Sequence, residues 1–369
     1  MTKYNLNALG WNKTFENQLN IDEEGFPARV INKNRGHFQI LTETGQFDAS
    51  LSGKYLHESN TNVEYPAVGD WVMVRRKMDQ HIIYRLLERK SAFARRQKID
   101  GGRKIINGVV SGGTTQEQIL ASNIDTVFIV TGLDKNFNPK RIERYLTLCL
   151  DSGAAPVILL SKLDLCDDVD DKIFEVEGVS LGFPIHALSA ISDQGMEQLK
   201  PYLGEGQTVA FLGSSGVGKS TISNFLLGED VQLTKNTNEQ TSKGVHTTTT
   251  AQLLVSKDGT LIIDTPGLRE IQLWCEEETI DTSFEEITAL MENCRFNNCT
   301  HKSEPGCAVR EALKSGDLPM DRYERYLKML REVRHLNNRK KGVELKLNKR
   351  VKQYEKRNTE KKYANAYEK

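Results

Sequence analysis

Residues 208–228, TVAFLGSSGVGKSTISNFLLG, decide the fold. A short apolar run, TVAFL, enters a turn of glycines and serines and leaves it into helix-spaced sequence, the strand–turn–helix context that gives G-x-x-x-x-G-K-S its meaning. Gly213, Gly216 and Gly218 let the backbone curl until its N–H groups face a phosphate chain, with the following helix start favouring negative charge. Gly213, Ser214, Ser215, Gly216, Val217, Gly218, Lys219, Ser220 and Thr221 are therefore the expected nucleotide cradle. Lys219 pairs with the β- and γ-phosphates, and Ser220 ligates magnesium.

Upstream lie further apolar strands and a helix. DTVFIV (125–130) reads as a strand, PKRIERYLTLCLDSG (139–153) has helical spacing opened by Pro139 and closed by Gly153, and APVILL (155–160) is again wholly apolar. FPIHALSA and the helix-like GMEQLKPYL complete a series of βαβ units. Residues 117–273 thus read as an α/β phosphate-loop domain with a parallel sheet. Downstream, LIIDTPG (261–267) is a strand ending in Asp264, which meets magnesium, and in Gly267, whose amide reaches the γ-phosphate. Between them, KGVHTTTT (243–250) is a threonine-rich stretch able to fold over a nucleotide, and Thr248 is its expected magnesium ligand.

A guanine-reading loop normally follows the DTPG element, and here none does. Instead APVILL runs into Ser161, Lys162, Leu163 and Asp164, and FPIHAL runs into Ser189 and Ala190, so both base loops precede the phosphate loop. Base loops, phosphate loop and switches in that order make a circular permutation of the usual arrangement. Ser161 stands where asparagine is usual. The side-chain amide that helps hold the loop is missing, and with Asp164 retained the expectation is guanine preference with weakened affinity.

The flanking sequence has a different texture. Residues 1–95 hold short period-two runs, ARVINKN, HFQILTETG, VGDWVMVRR and HIIYRLLER, which fit a small OB-type β-barrel. Phe38, Tyr55 and Trp71 could stack on bases there or belong to strand cores. Residues 96–116, rich in glycine and charge, read as a flexible linker. In residues 274–340, Cys294, Cys299, His301 and Cys307 follow C-x4-C-x-H-x5-C, a donor set that closes a tetrahedron around structural zinc. A redox cluster is the competing reading. Cys149, Cys166 and Cys275 are plain thiols. Residues 341–369 form a basic helical tail suited to RNA phosphates.

Bulk properties agree with a multi-domain soluble protein. The chain has 369 residues, 38% of them hydrophobic and 27% charged, and its 50 basic and 50 acidic residues cancel. No apolar run is long enough to cross a bilayer. The start, MTKYNLNALGWNK, lacks the features of a secretory signal, which makes the cytoplasm the expected location. With no heptad seam, the expected state is a monomer.

The permuted motif order, together with the barrel and the Cys/His cluster, resembles the ribosome-small-subunit-dependent GTPase A family of bacteria over nearly the whole length. The resemblance implies an OB-type barrel, a permuted G domain and a zinc domain. It also implies GTP hydrolysis to GDP, stimulated by the small ribosomal subunit, and a role in late maturation of that subunit through its rRNA. Leu268 occupies the position after Gly267, near which Ras-like proteins keep a water-orienting glutamine. The resemblance offers His246 in that role, and an imidazole near neutrality can orient or accept a proton from water. The alternative is an RNA-binding assembly module in which GTP is a conformational ligand with little turnover.

Overall fold

The structure, a computed structural model, describes residues 5–20, 23–34, 36–59, 63–98, 104–106, 109–111, 115–228, 251–265 and 277–334. These fall into two compact units, Met1–Arg95 with Gln118–Gln272, and Arg96–Glu117 with Leu273–Lys369.

The barrel of the first unit contains β1 (Phe26–Asn34), β2 (His37–Thr42), β3 (Gly45–Leu51), β4 (Trp71–Lys77) and β5 (Gln80–Leu86). Neighbours run β1-β2-β3-β5-β4, and β1 pairs again with β4, which closes the cylinder. The alternating apolar residues of the sequence explain the closure. Ala28, Val30, Phe38, Ile40, Val72, Val74 and Ile83 all point inward into one core. Phe38 and Trp71 are buried, so neither is a base-stacking platform, and Tyr55 is half-buried with its hydroxyl donating to the Glu64 carbonyl.

Within 96–116, where a linker is expected, the described residues form short strands. The ribbon contains β6 (Ala92–Lys98), β7 (Lys104–Ile106), β8 (Val109–Ser111) and β9 (Thr115–Ser122), with β6 paired to β9 and β7 antiparallel to β8. Glycine and lysine dilute the period-two signal there, while backbone pairing needs no apolar alternation.

The α/β part follows with β10 (Thr126–Gly132), β11 (Ala155–Ser161), β12 (Ile185–Ala187), β13 (Thr208–Leu212), β14 (Gln252–Val255) and β15 (Leu261–Asp264). Their order is β12-β11-β10-β13-β15-β14, parallel except for the antiparallel β14. Continuous burial along β10 and β13 is what a two-sided parallel sheet demands. The helix Pro139–Ser152 begins under Asn138, whose side chain accepts from Arg141 N, and ends at Gly153 with φ 79°. It buries Ile142, Leu146 and Cys149 at helical spacing.

β14 also pairs with β1 of the barrel, through Asn32 and Gln252, so barrel and α/β sheet are one eleven-stranded sheet. Arg29 seals this junction. Its guanidinium donates to the carbonyls of Leu9, Gly69 (3.3 Å) and Asn123 (3.0 Å) and to Thr208 Oγ1 (2.9 Å). Burial pushes its pKa down to about 10, with Asp125 and Asp70 pulling the other way, so the charge persists at neutral pH.

In the second unit, helices Glu277–Ser283, Glu285–Glu292 and Ala308–Ser315 accompany a helix over 320–334. Phe284 lies edge-on to Tyr326 at 5.5 Å between centroids, and Arg322 sits 4.2 Å over Phe284 while its Nε donates to Glu286 at 2.6 Å. No helix among the described residues is long and apolar enough to cross a membrane.

Candidate functional site

The parallel strands β11, β12, β13 and β15 deliver Ser161, Ser189, Gly213 and Asp264 to the same carboxyl edge of the sheet, the crevice where such folds bind ligands. Gly213 is required there: a Cβ would lie 2.3 Å from the Val130 carbonyl. Gly218, at φ 94°, caps the helix Lys219–Leu227, leaving the first amides of that helix facing the loop. The Lys219 ammonium donates to Gly213 O at 2.7 Å and to Ser214 O, which folds the side chain back across the cradle. Ser215, Gly216, Ser220 and Thr221 are exposed, whereas Val217 is buried in the core that supports the loop.

The base loops are laced to this cradle and to one another. Leu133 N donates to Ser161 O (2.8 Å) and Leu163 N to Leu188 O (3.1 Å). Ser161 Oγ is 2.6 Å from Val217 O and 3.1 Å from Thr131 O, and it is buried. The serine hydroxyl thus ties the base loop directly to the phosphate loop, although its sequence suggested a missing tether. Lys162 adopts a left-handed conformation, φ 62°, and its ammonium meets Asp134 at 2.7 Å. Asp164 is exposed at the same edge. Ser189 and Gln194 exchange backbone hydrogen bonds of 2.8 and 3.1 Å, closing a tight loop over Ala190, which packs on the core beneath.

A pocket lined by Lys219, Ser220, Asn224, Asp264 and Thr265, among others, brings the serine hydroxyl and the aspartate together. Thr265 Oγ1 is buried without a hydrogen-bond partner among the described residues. Two oxygen donors on one pocket wall suit a hard cation that keeps several waters, as magnesium does. His246, Thr248, Gly267 and Leu268 lie outside the described residues.

In the second unit Cys294, Cys299, His301 and Cys307 converge, with all four donor atoms within 4.8 Å of one another. His301 Nδ1 is 3.6 Å from Cys294 Sγ and 3.5 Å from Cys307 Sγ, and the two sulfurs are 3.9 Å apart. Tetrahedral zinc with ordinary bond lengths gives edges of about 3.8 Å between sulfurs and about 3.6 Å between sulfur and nitrogen. The cluster fits that ion, and these cysteines are free thiols, not disulfide partners. Glu304 holds the loop: its carboxylate accepts from the amides of Thr300, Lys302 and Ser303, each at 3.0 Å, and from the Thr300 hydroxyl.

Sequence reasoning missed Asp134, Glu304 and Arg141, whose Nη1 donates to Ser214 Oγ at 2.7 Å. Asp134 lies in the turn after β10, the strand beside the phosphate strand, and that position is the available signal.

Comparison with known proteins decides the lineage. The family model described as RsgA GTPase matches residues 86–274. Lactiplantibacillus plantarum has a relative named small ribosomal subunit biogenesis GTPase RsgA 2. It is 42% identical, with 90% of this chain and 92% of the relative aligned. The chain belongs to the RsgA GTPase family. A second relative, small ribosomal subunit biogenesis GTPase RsgA of Opitutus terrae, is also 42% identical, over 89% of each chain. The solved structure of YjeQ from Thermotoga maritima superposes with a TM-score of 0.58 at 28% identity, covering 83% of this chain and 98% of that one. YloQ, titled a circularly permuted GTPase, shares the fold with a TM-score of 0.56 at 22% identity, over 86% and 98% of the two chains. A further model, described as 50S ribosome-binding GTPase, matches 208–349, beginning at the phosphate-loop strand in mid-chain, as a permutation requires. The chain is a GTP hydrolase with a permuted RsgA-type G domain behind an OB-like barrel.

Proposed function

We propose that this RsgA-family GTPase binds the small ribosomal subunit through rRNA and assists its late maturation, with subunit binding stimulating hydrolysis of GTP to GDP and phosphate. The observation that carries the reading is the alignment with relatives named small ribosomal subunit biogenesis GTPase, and the ties between the Ser161 loop and the Val217 loop support its nucleotide-binding part. Relatives aligned over nine-tenths of the chain carry small-subunit names, and that outweighs a 50S-named model matching less than half of it.

In this reading the base is read by Ser161, Lys162, Leu163, Asp164, Ser189 and Ala190, with Asp164 accepting from the guanine edge. Lys219 and the amides of 213–221 hold the phosphates. Magnesium, held by Ser220, Asp264 and Thr248, would neutralise developing charge on the phosphate oxygens. His246 orients the water that attacks the γ-phosphorus as the bond to the β-phosphate oxygen breaks, and Gly267 reports the γ-phosphate. Zinc on Cys294, Cys299, His301 and Cys307 is structural, having no open ligand position. We assign 1–95, 117–273 and 274–340 to barrel, G domain and zinc domain, 341–369 to an RNA-facing basic tail, and the whole to a cytoplasmic monomer.

The test is GTP hydrolysis at physiological salt with small subunits, with large subunits, and alone. Stimulation by small subunits only is the expected result. Binding without stimulation favours an assembly module that uses GTP as a conformational ligand. Absence of both removes the proposed partner.

A further inference from the structure

The turn after β10 carries a charge that no nucleotide motif accounts for. Asp134 Oδ1 accepts from the amide of Asn136 at 2.8 Å, which fixes the carboxylate within its own turn, and Oδ2 accepts from the Lys162 ammonium at 2.7 Å. The two side chains are one-fifth and one-quarter exposed, so the pair sits at the rim of the crevice and not in the core. Gly132 makes room for it. A Cβ there would fall 2.8 Å from Asp134 Oδ1 and 3.6 Å from Lys162 Cδ, although its backbone is in no special conformation.

Lys162 stands between Ser161, tied to the phosphate loop, and Asp164, exposed at the base edge. A lysine held at both its backbone and its ammonium has its butyl stem confined between two fixed ends, and such a stem offers an apolar surface to a flat ring. Left unpaired, the same side chain would sample many rotamers, and nucleotide binding would bear the entropy of ordering it.

We propose that Asp134 is a positioning residue for purine recognition: it pins the Lys162 ammonium so that the lysine stem forms a preset wall for one face of the base. This rests on the reading of Ser161–Asp164 as a base loop. The wall touches the ring face and not its edge, so it serves any purine alike, while Asp164 discriminates among edges. The hydrogen bond from Lys162 also holds the Asp134 carboxyl below the usual carboxylate range, which keeps the pin charged at all physiological pH.

The experiment measures equilibrium binding of GDP, inosine diphosphate and xanthosine diphosphate to the full-length protein. The variants are Asp134→Asn, Asp134→Glu, Gly132→Ala, Lys162→Met, the double variant Asp134→Asn/Lys162→Met, and Asp164→Asn. Asp134→Asn is expected to raise the Kd for GDP and for inosine diphosphate by the same factor, about fivefold, the scale of a partly exposed ion pair. Gly132→Ala follows in the same direction, and Asp134→Glu restores binding. In the Lys162→Met background the Asp134 change has no further effect, because the pair is already gone. Asp164→Asn trades GDP for xanthosine diphosphate, since an amide donates where the xanthine edge carries a carbonyl. If Asp134→Asn binds GDP as the parent does, or adds its full effect on top of Lys162→Met, while Asp164→Asn switches the base, the pin is wrong and the base loop stands. If Asp164→Asn leaves the preference for GDP unchanged, the base loop is wrong and the pin falls with it.

Discussion

The nucleotide edge of the sheet and the Cys/His loop are both small clusters of polar side chains, yet they are held by opposite means. Beneath the nucleotide edge lies a continuous core that includes Phe128, Val157, Leu159, Val209, Val217 and Ile262, all buried, so the loops rest on a platform that exists whatever they bind. Between Glu292 and Gly306 no residue is buried. That loop has Glu304 and its four donor atoms to hold it. The first arrangement is preorganised by packing and spends its binding energy on the ligand, whereas the second gathers four donor atoms that a metal ion would hold.

Removing the ion should break the comparison most visibly. A structural zinc site on which a fold depends is worth on the order of 10 kcal/mol, so chelation or Cys307→Ser should abolish amide protection across 293–307. Hydrogen exchange in β10 and β13 should stay unchanged, and loss of protection there would show that the two regions are not independently held. Next in size is Arg29→Leu, which strands the carbonyls of Leu9 and Asn123 in a buried junction, the Gly69 carbonyl keeping the Asn123 side-chain amide. A loss of about 3 kcal/mol or more is expected, read as a lowered midpoint in chemical denaturation. Ser161→Ala removes one hydrogen bond between base loop and phosphate loop and is expected to cost about 1 kcal/mol, near fivefold in GDP affinity, with little change in Tm. Unchanged affinity would mean that backbone lacing alone suffices.

The smallest effect is one of pH. Asp134 has a folded pKa depressed chiefly by Lys162, so its contribution is present above the unfolded carboxylate value, about 3.9, and is lost as pH falls through the lower folded value. Between pH 6 and 8 nothing should change. Carboxyl NMR should show Asp134 titrating below the ordinary range, and Lys162→Met should move it back upward.

Legibility in the sequence followed locality. GSSGVGKS and C-x4-C-x-H-x5-C place all their chemistry within a few residues, and the structure forms the strand–turn–helix of the first and brings the four donors of the second together. The period-two runs of the barrel were equally plain because each strand carries its own pattern. Arg29, by contrast, bonds to residues 9, 69, 123 and 208, and a buried arginine in a β-run has no local signature. Asp134 is marked in the sequence only by its place after β10, because its partner lies beyond an intervening helix. Ser161 was judged by the amide it lacks, although a hydroxyl of the right reach makes the tie. Composition reads 96–116 as a linker, while its described residues 104–106 and 109–111 pair as short strands, because such pairing depends on backbone, which composition does not report.

The single bridge between Asn32 and Gln252 has a consequence for biosynthesis. Every other pairing partner of β1 lies within the first 77 residues, so the cylinder can close soon after it leaves the ribosome. The end of β1 beyond its pairing with β4 must then wait for most of the chain to be made before β14 arrives. A strand end left unpaired for that long is open to pairing with a neighbouring chain. The bridge involves one residue at the end of β1, and a short exposed edge is a small hazard. The geometry that makes the junction look slight in the finished protein is the same geometry that makes the wait safe.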